Sequence, residues 1–268
     1  MPTHQTTTQS KGHGDENFPV ASRLLPAWSR PHVMTFYAFA RAADDIADAP
    51  HLSAEDKLNQ LRALDAQVLA GEGALAQSLR DTEVSPRHAH DLLKAFMWDA
   101  QHPRTNDWAA LMAYCQLSAA PVGRYLIDLL GGCDDDYRAS DALCAALQIL
   151  NHIQDIRADA VTMDRVYVPA DWMADAGVLV EDLKQAKSTP ALSAVRQQML
   201  SKVDALLVLA QPASRVIRSR ALAREAAGIL AIAKALSRAL KTNDPLMHRV
   251  ELSKPEMALR FIWGALRA

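Results

Sequence analysis

The chain has 268 residues, half of them hydrophobic, with 29 Lys plus Arg against 31 Asp plus Glu and a formal charge of −2. That composition excludes wholesale disorder, and the near-neutral balance supplies no basic face for nucleic acid. Ala (48) and Leu (34) dominate while Gly (10) and Pro (13) are few, which predicts an all-α protein rather than one built from many short strands.

The first fifteen residues, polar and Thr/Gly-rich, read as a flexible tail preceding a single helical domain over 16–268. Helical patterning begins at Pro31 and stops at Pro50. A second helix is expected after Ser53, with Leu58, Leu61, Leu64 and Leu69 near helical spacing. Further helices are predicted over 86–101, 107–131 with a break near Pro121-Val122-Gly123, and 139–160, with Ser140 as a candidate cap. Residues 164–177 read as a loop and a short helix. Long Ala/Leu-rich helices follow at 190–210 and 215–240, and a last one opens at Ser253-Lys-Pro-Glu256 with capping-box spacing. Cys115, Cys133 and Cys144 are odd in number and lack metal-ligand spacing, which fits thiols in a reducing compartment. No apolar run is long enough to span a bilayer and no leader core precedes the first helix, so a cytoplasmic location is expected.

The polar residues of the first helix carry the most information. At about 100° per residue, Tyr37, Arg41, Asp44 and Asp48 fall within one wedge, with Asp45 beside it. Acidic residues at a helix C-terminus oppose the macrodipole, and a bound cation would offset that cost. A lone acidic helix end reads as solvated surface. A second row changes the weighting: Gln148, Asn151, Asp155 and Asp159 share a face by i+3 and i+4 steps. The apolar Ala142–Leu147 stretch puts that helix deep in the bundle, where a polar row requires partners. Carboxylates and an amide in such steps are hard-oxygen donors suited to magnesium, which is usually held by a few carboxylates plus substrate phosphates. Two facing rows can therefore clamp a diphosphate through bridging metals, or form a buried polar network with no ligand.

Two further stretches complete a pattern. Asn17-Phe18-Pro-Val-Ala-Ser-Arg-Leu-Leu-Pro26 precedes the first row, and Tyr114-Cys115, Pro121-Val122-Gly123-Arg124 and Arg165-Val-Tyr167-Val-Pro169 follow it. With the two aspartate motifs in this order, the chain resembles the squalene/phytoene synthase family over almost its whole length. Glu16-Asn17-Phe18-Pro19 and Asn151-His152-Ile-Gln154-Asp155 look most like the hopanoid-pathway branch, whose members convert presqualene diphosphate to hydroxysqualene. The resemblance implies an isoprenoid-synthase bundle around one hydrophobic cavity. It implies Asp44, Asp48, Asn151 and Asp155 as magnesium ligands, with Asp45 and Asp159 completing the rows. Tyr37, Arg41 and Gln148 match positions that touch the diphosphate or its metal-bound waters. Arg165 and Tyr167 are candidates to close over the diphosphate or, equally, to pack the loop, and Asn17, Phe18 and Gln154 are candidates to meet substrate. Condensing members carry Arg where this chain has Gln154, and often a Ser-rich stretch at Asn17-Phe18-Pro19, which points to one diphosphate rather than two. His152 reads as a satisfied core histidine more than as a catalytic group, and Phe18, Phe36, Phe39, Phe96 and Tyr114 as plain core more than as π faces for a carbocation.

Other readings stay open at this point. These are head-to-head condensation of two prenyl diphosphates to presqualene diphosphate, squalene or phytoene, and a non-catalytic relative, which loss of motif aspartates would favour. A di-iron bundle needs paired Glu-x-x-His motifs, and the chain has none. The expected partners are a prenyl diphosphate and other enzymes of the pathway. The last helix, with Leu259, Phe261, Ile262 and Leu266, is expected either to cover the cavity or to rest on the inner face of the membrane.

Overall fold

The computed structural model describes residues 23–101 and 104–268. The segment expected as a tail, together with Asn17 and Phe18, lies outside the described residues. The architecture is all-α, and one isolated bridge between Arg104 and Val166 is the β pairing among the described residues.

Helix α1 (Ser29–Asp48) buries Val33, Phe36, Phe39, Ala43 and Ala47 on one side. It ends at Asp48 because Pro50 holds the residue before it in extended geometry, with Ala49 at ψ 111°. α2 (Ala54–Leu69) is capped by Ser53, whose Oγ accepts from the Asp56 amide at 3.1 Å. The short α3 (Gly73–Asp81) has no counterpart among the expected elements. α4 (Arg87–Asp99) packs on α1, α2, α5 and α6. The stretch from 107 is broken as expected, into α5 (Trp108–Ser118) and α6 (Ala120–Leu129), since Pro121 has no N–H to continue the helical ladder.

α7 (Tyr137–Gln154) is the central helix, in contact with α5, α6, α11 and α13, and its Ile149, Leu150 and Ile153 are fully buried. It begins after a 3₁₀ turn at Asp134–Asp136, so Ser140 is a buried residue of its first turn and not its cap. The expected helix to 160 bends at Asp155, resumes as α8 (Ile156–Ala158) and ends in a π turn, Asp159–Met163. Asp164 then takes the left-handed φ of 51°. Distortions of this kind within helices are frequent at functional sites.

α9 (Ala170–Asp175) and α10 (Val180–Leu183) lead to α11 (Pro190–Leu209). The run expected over 215–240 is divided at Ile217, giving α12 (Ala213–Val216) and α13 (Arg220–Thr242). α14 (Lys254–Leu266) is capped by Ser253, as the spacing predicts, and crosses α13 at close range through two glycines. A Cβ at Gly264 would stand 2.4 Å from the Ala227 carbonyl, and one at Gly228 2.6 Å from the Phe261 ring. α14 therefore packs on α13 and contributes no lining residue to the cavity described next. Leu259, Ile262, Trp263 and Leu266 remain exposed on its outer side. Among the described residues no helix is long and apolar enough to cross a membrane.

Candidate active site

A cavity of about 970 Å³ runs between α1 and α7, walled by α4, α5, α6 and α13. Its size is at the upper end for small-molecule sites. Both acidic rows reach it: Tyr37, Arg41, Asp44, Asp45 and Asp48 from α1, and Gln148, Asn151, Asp155 and Asp159 from α7 and the π turn. Phe36, Phe96, Tyr114, Leu143, Leu147 and Ile229 supply much of the apolar wall. A smaller depression of about 420 Å³ beside Gln116, Tyr137 and Asp141 holds none of these residues. The rows meet in one cavity because each keeps its polar side chains within one wedge of its helix, while the opposite wedge is core.

Arginines from three separate segments neutralise the carboxylates. Arg41 Nη1 donates to Asp44 Oδ2 at 2.6 Å and its Nη2 to Asp45 Oδ1 at 3.3 Å. Arg165 donates to Asp48 Oδ1 at 2.6 Å and to the Ala47 carbonyl at 3.0 Å. Arg249 Nε pairs with Asp155 Oδ1 at 3.0 Å. Burial, with Asp48 adding repulsion, pushes the Asp44 carboxyl up to about 6 against the opposing pull of Arg41. Burial also works against the charge of Arg165, but Tyr167, Asp99 and Asp48 outweigh it and hold the guanidinium more firmly protonated than usual.

Behind the rows lies a buried network that the motifs do not announce. Asp99, at the end of α4, accepts from Tyr114 Oη at 2.8 Å and from Tyr167 Oη at 2.9 Å. Burial raises the Asp99 carboxyl, with Arg165 and the two phenols pulling the other way, and it drives both phenols well above their ordinary value. His152 stacks on the Tyr167 ring at 3.6 Å, and its Nδ1 lies 3.9 Å from Asp159. Phe36 stacks on Tyr125 at 4.1 Å. Phe39 is core and does not line the cavity.

One expected substrate contact is corrected. Gln154 faces away from the cavity, is 3% exposed, and donates from Nε2 to the Val250 carbonyl at 2.7 Å. It fixes the segment that carries Arg249, and the guanidinium expected to be missing at this point of the site is supplied from that segment instead. Three charged residues of the cavity went unread in the sequence: Asp99, Arg249 and Glu225. Asp99 carried the same signal as Asp48, a carboxylate in the last turn of a helix. Glu225 interrupts the otherwise apolar face Leu222, Ala226, Ile229. Arg249 carries no local signal at all.

The donor set fits magnesium in kind: Asp44 and Asp48 on one side, Asn151, Asp155 and Asp159 on the other, all hard oxygens. Among the described residues no three His, Cys, Asp or Glu side chains converge to hold an ion alone. Sites built from one or two carboxylates and substrate phosphates do not need such a group.

The chain matches the family described as squalene/phytoene synthase over residues 11–256. It is 42% identical over 256 residues to a hydroxysqualene synthase of Rhodopseudomonas palustris, covering 93% of this chain and 87% of that one. A hydroxysqualene synthase of Sinorhizobium fredii is 37% identical, with 95% and 89% covered. The crystal structure of a dehydrosqualene synthase in complex with ligand shares the fold at a TM-score of 0.82 and 21% identity, over 94% of this chain and 91% of that one. Fold, facing acidic helices and sequence agree: this chain belongs to the squalene/phytoene synthase family.

Proposed function

We propose that the protein converts presqualene diphosphate to hydroxysqualene with release of diphosphate, in a magnesium-dependent reaction of hopanoid biosynthesis. Family membership gives the coarser statement, enzyme chemistry of the squalene/phytoene synthase type on a prenyl diphosphate. The observation that carries the finer reading is the pair of acidic rows at one cavity, much of whose remaining wall is apolar and aromatic. The 42% identity to a hydroxysqualene synthase supports the branch.

Asp44 and Asp48 from α1, and Asn151 and Asp155 from α7, would hold the metal, with Asp45 and Asp159 beside them. Bound magnesium would supply Lewis-acid polarisation of the leaving diphosphate. Arg41, Arg165 and Arg249 each sit on a motif carboxylate and are positioned to donate to diphosphate oxygens instead. Gln148 and Tyr37 line the same end of the cavity and orient the group through hydrogen bonds. Departure of diphosphate leaves a cyclopropylcarbinyl cation, whose rearrangement and ring opening give an extended allylic cation. The rings of Phe36, Phe96 and Tyr114 on the wall favour positive charge against their faces. Water then adds to the cation, so that presqualene diphosphate plus water gives hydroxysqualene plus diphosphate.

The test is incubation of the purified protein with presqualene diphosphate and magnesium in oxygen-18 water, followed by lipid analysis. The label is expected in an alcohol formed without reductant; an unlabelled hydrocarbon formed only with NADPH refutes the reading. Condensation of two prenyl diphosphates is the second reading, favoured by the presence of three arginines at the polar end. Accumulation of presqualene diphosphate from farnesyl diphosphate would establish it.

The product is a lipid, and a peripheral membrane contact belongs to the same proposal. The exposed Leu259, Ile262, Trp263 and Leu266 of α14 share their helix with Lys254 and Arg260, and Arg267 follows it directly. Apolar side chains flanked by cations suit the surface of an anionic bilayer. Co-sedimentation with anionic vesicles, reduced in Trp263→Ser/Leu266→Ser, tests it.

A further inference from the structure

Two carboxylates of the cavity lie outside the acidic rows: Asp99, which accepts from the Tyr114 and Tyr167 hydroxyls, and Glu225. Glu225 lines the cavity and is 3% exposed. Its helical neighbours on the same face, Leu222, Ala226 and Ile229, line the cavity too and are all apolar. Desolvating a carboxylate is costly, and this one stands on a face otherwise built to hold hydrocarbon.

Its depth follows from how the helices run. α12, just before α13, lies against the 3₁₀ turn and α7 at the start of α7. The segment after α13 reaches the other end, where Val250 and Arg249 meet Gln154 and Asp155. α13 therefore runs alongside α7 in the same direction, and Glu225, five residues from its start, stands against the first half of α7. The metal-ligand candidates Asn151 and Asp155 stand at its end. With a rise of about 1.5 Å per residue, that separates Glu225 from the diphosphate end by on the order of 10 Å or more. A second buried polar group belongs to a residue that lines the same cavity: Ser118 Oγ has no hydrogen-bond partner among the described residues. It ends α5 beside the break whose Gly123 abuts Ser140 and Cys144, again on the first half of α7.

We propose that Glu225 is the catalytic base of water capture: at the hydrocarbon end of the cavity it holds the water that adds to the allylic cation and accepts its proton. This rests on the reaction proposed above and assigns a step that reading leaves without a residue. A lone pair of the water oxygen forms the C–O bond to the cationic carbon. One O–H bond of that water breaks, and its proton passes to the Glu225 carboxylate, from which solvent removes it once the product has left. Diphosphate has left before this step, so Glu225 acts on the fate of the cation and not on its formation. In its ionised form it also places negative charge where the cation is delocalised, away from the metal end.

The test measures two quantities on one sample: diphosphate released and alcohol formed from presqualene diphosphate with magnesium. In Glu225→Gln, release is expected within about threefold of wild type, while the alcohol formed per diphosphate released falls at least about tenfold and hydrocarbons from proton loss take its place. Glu225→Asp, which keeps the carboxylate but retracts it, is expected to give an intermediate fraction. If Glu225→Gln does not fold, as thermal melting would reveal, the Asp variant decides alone, a lowered fraction supporting the proposal and an unchanged one overturning it. An unchanged alcohol fraction in Glu225→Gln, or equal loss of release and alcohol in a folded variant, overturns the proposal while leaving the reaction intact. If wild type forms no alcohol, the reaction reading itself fails, and the assignment of Glu225 fails with it.

Discussion

Replacing Asp99 with Ala removes the acceptor shared by two phenols that have little access to bulk water. Tyr114 is 6% exposed and Tyr167 lines the cavity, and their hydroxyls donate to Asp99 at 2.8 and 2.9 Å. An orphaned buried hydroxyl costs about 1–3 kcal/mol. Both phenols line the cavity, but Tyr114 is the more deeply buried and belongs in the upper part of that range, with the half-buried Tyr167 in the lower part. Burial that raises the Asp99 carboxyl works in the opposite direction, since removing the carboxyl relieves its own desolvation. The net loss for Asp99→Ala is then about 2–4 kcal/mol, or a fall in Tm of roughly 5–15 °C for a chain of this size. The measurement is thermal and urea unfolding of four proteins: wild type, Asp99→Ala, Tyr114→Phe/Tyr167→Phe and the triple variant. With the hydroxyls gone, removing Asp99 should cost less than about 1 kcal/mol. A loss of the same size in both backgrounds refutes the orphaned-hydroxyl argument, as does a loss below about 0.5 kcal/mol in Asp99→Ala itself.

Three other outcomes are expected. Asp48→Asn and Asp155→Asn should each lower turnover by at least about 100-fold with unchanged circular dichroism, since each removes a proposed metal ligand; near-wild-type rates would exclude that role. Asp44, raised from 3.8 to about 6, binds its proton more tightly folded than unfolded. Its contribution to stability without metal is therefore fully present below about pH 4 and lost as pH rises through about 6. Over the same window magnesium affinity should rise as the competing proton leaves, and titration calorimetry at pH 5 and 7 with Asp44→Asn as control measures it. Gly264→Ala places a methyl 2.4 Å from the Ala227 carbonyl, which is backbone and cannot turn aside. A loss of about 1–3 kcal/mol in urea unfolding is expected, and an unchanged midpoint would mean that α14 shifts freely on α13.

Much of this molecule is local and could be read from the chain. Pro50 and Pro121 stop helices by chemistry that needs no tertiary context, and Ser53 and Ser253 start them in the same way. The two acidic rows follow from helical periodicity alone, which is why Asp44, Asp48, Asn151 and Asp155 could be named before any coordinate was known. The same arithmetic argues against Gln154, which lies roughly 100° around α7 from the centre of its row. It was named from family resemblance, and its side chain turns to Val250. Ser140 misled for a related reason: a serine that looks like a cap from its neighbours sits one turn inside a helix begun by the 3₁₀ turn before it.

What only the tertiary structure decided is which distant groups share one cavity. Arg165 reaches Asp48 across 117 positions of sequence and Tyr167 reaches Asp99 across 68. Arg249 meets Asp155 from beyond α13. The pairing of such groups depends on the packing of α4, α7 and α13, and no spacing along the chain encodes it. Glu225 is the plainest case, one acidic residue on an Ala/Leu helix that would be solvated if its face turned outward. Periodicity determines which residues a helix presents together, whereas the direction in which that face points is set by burial of the whole bundle, to which every other helix contributes.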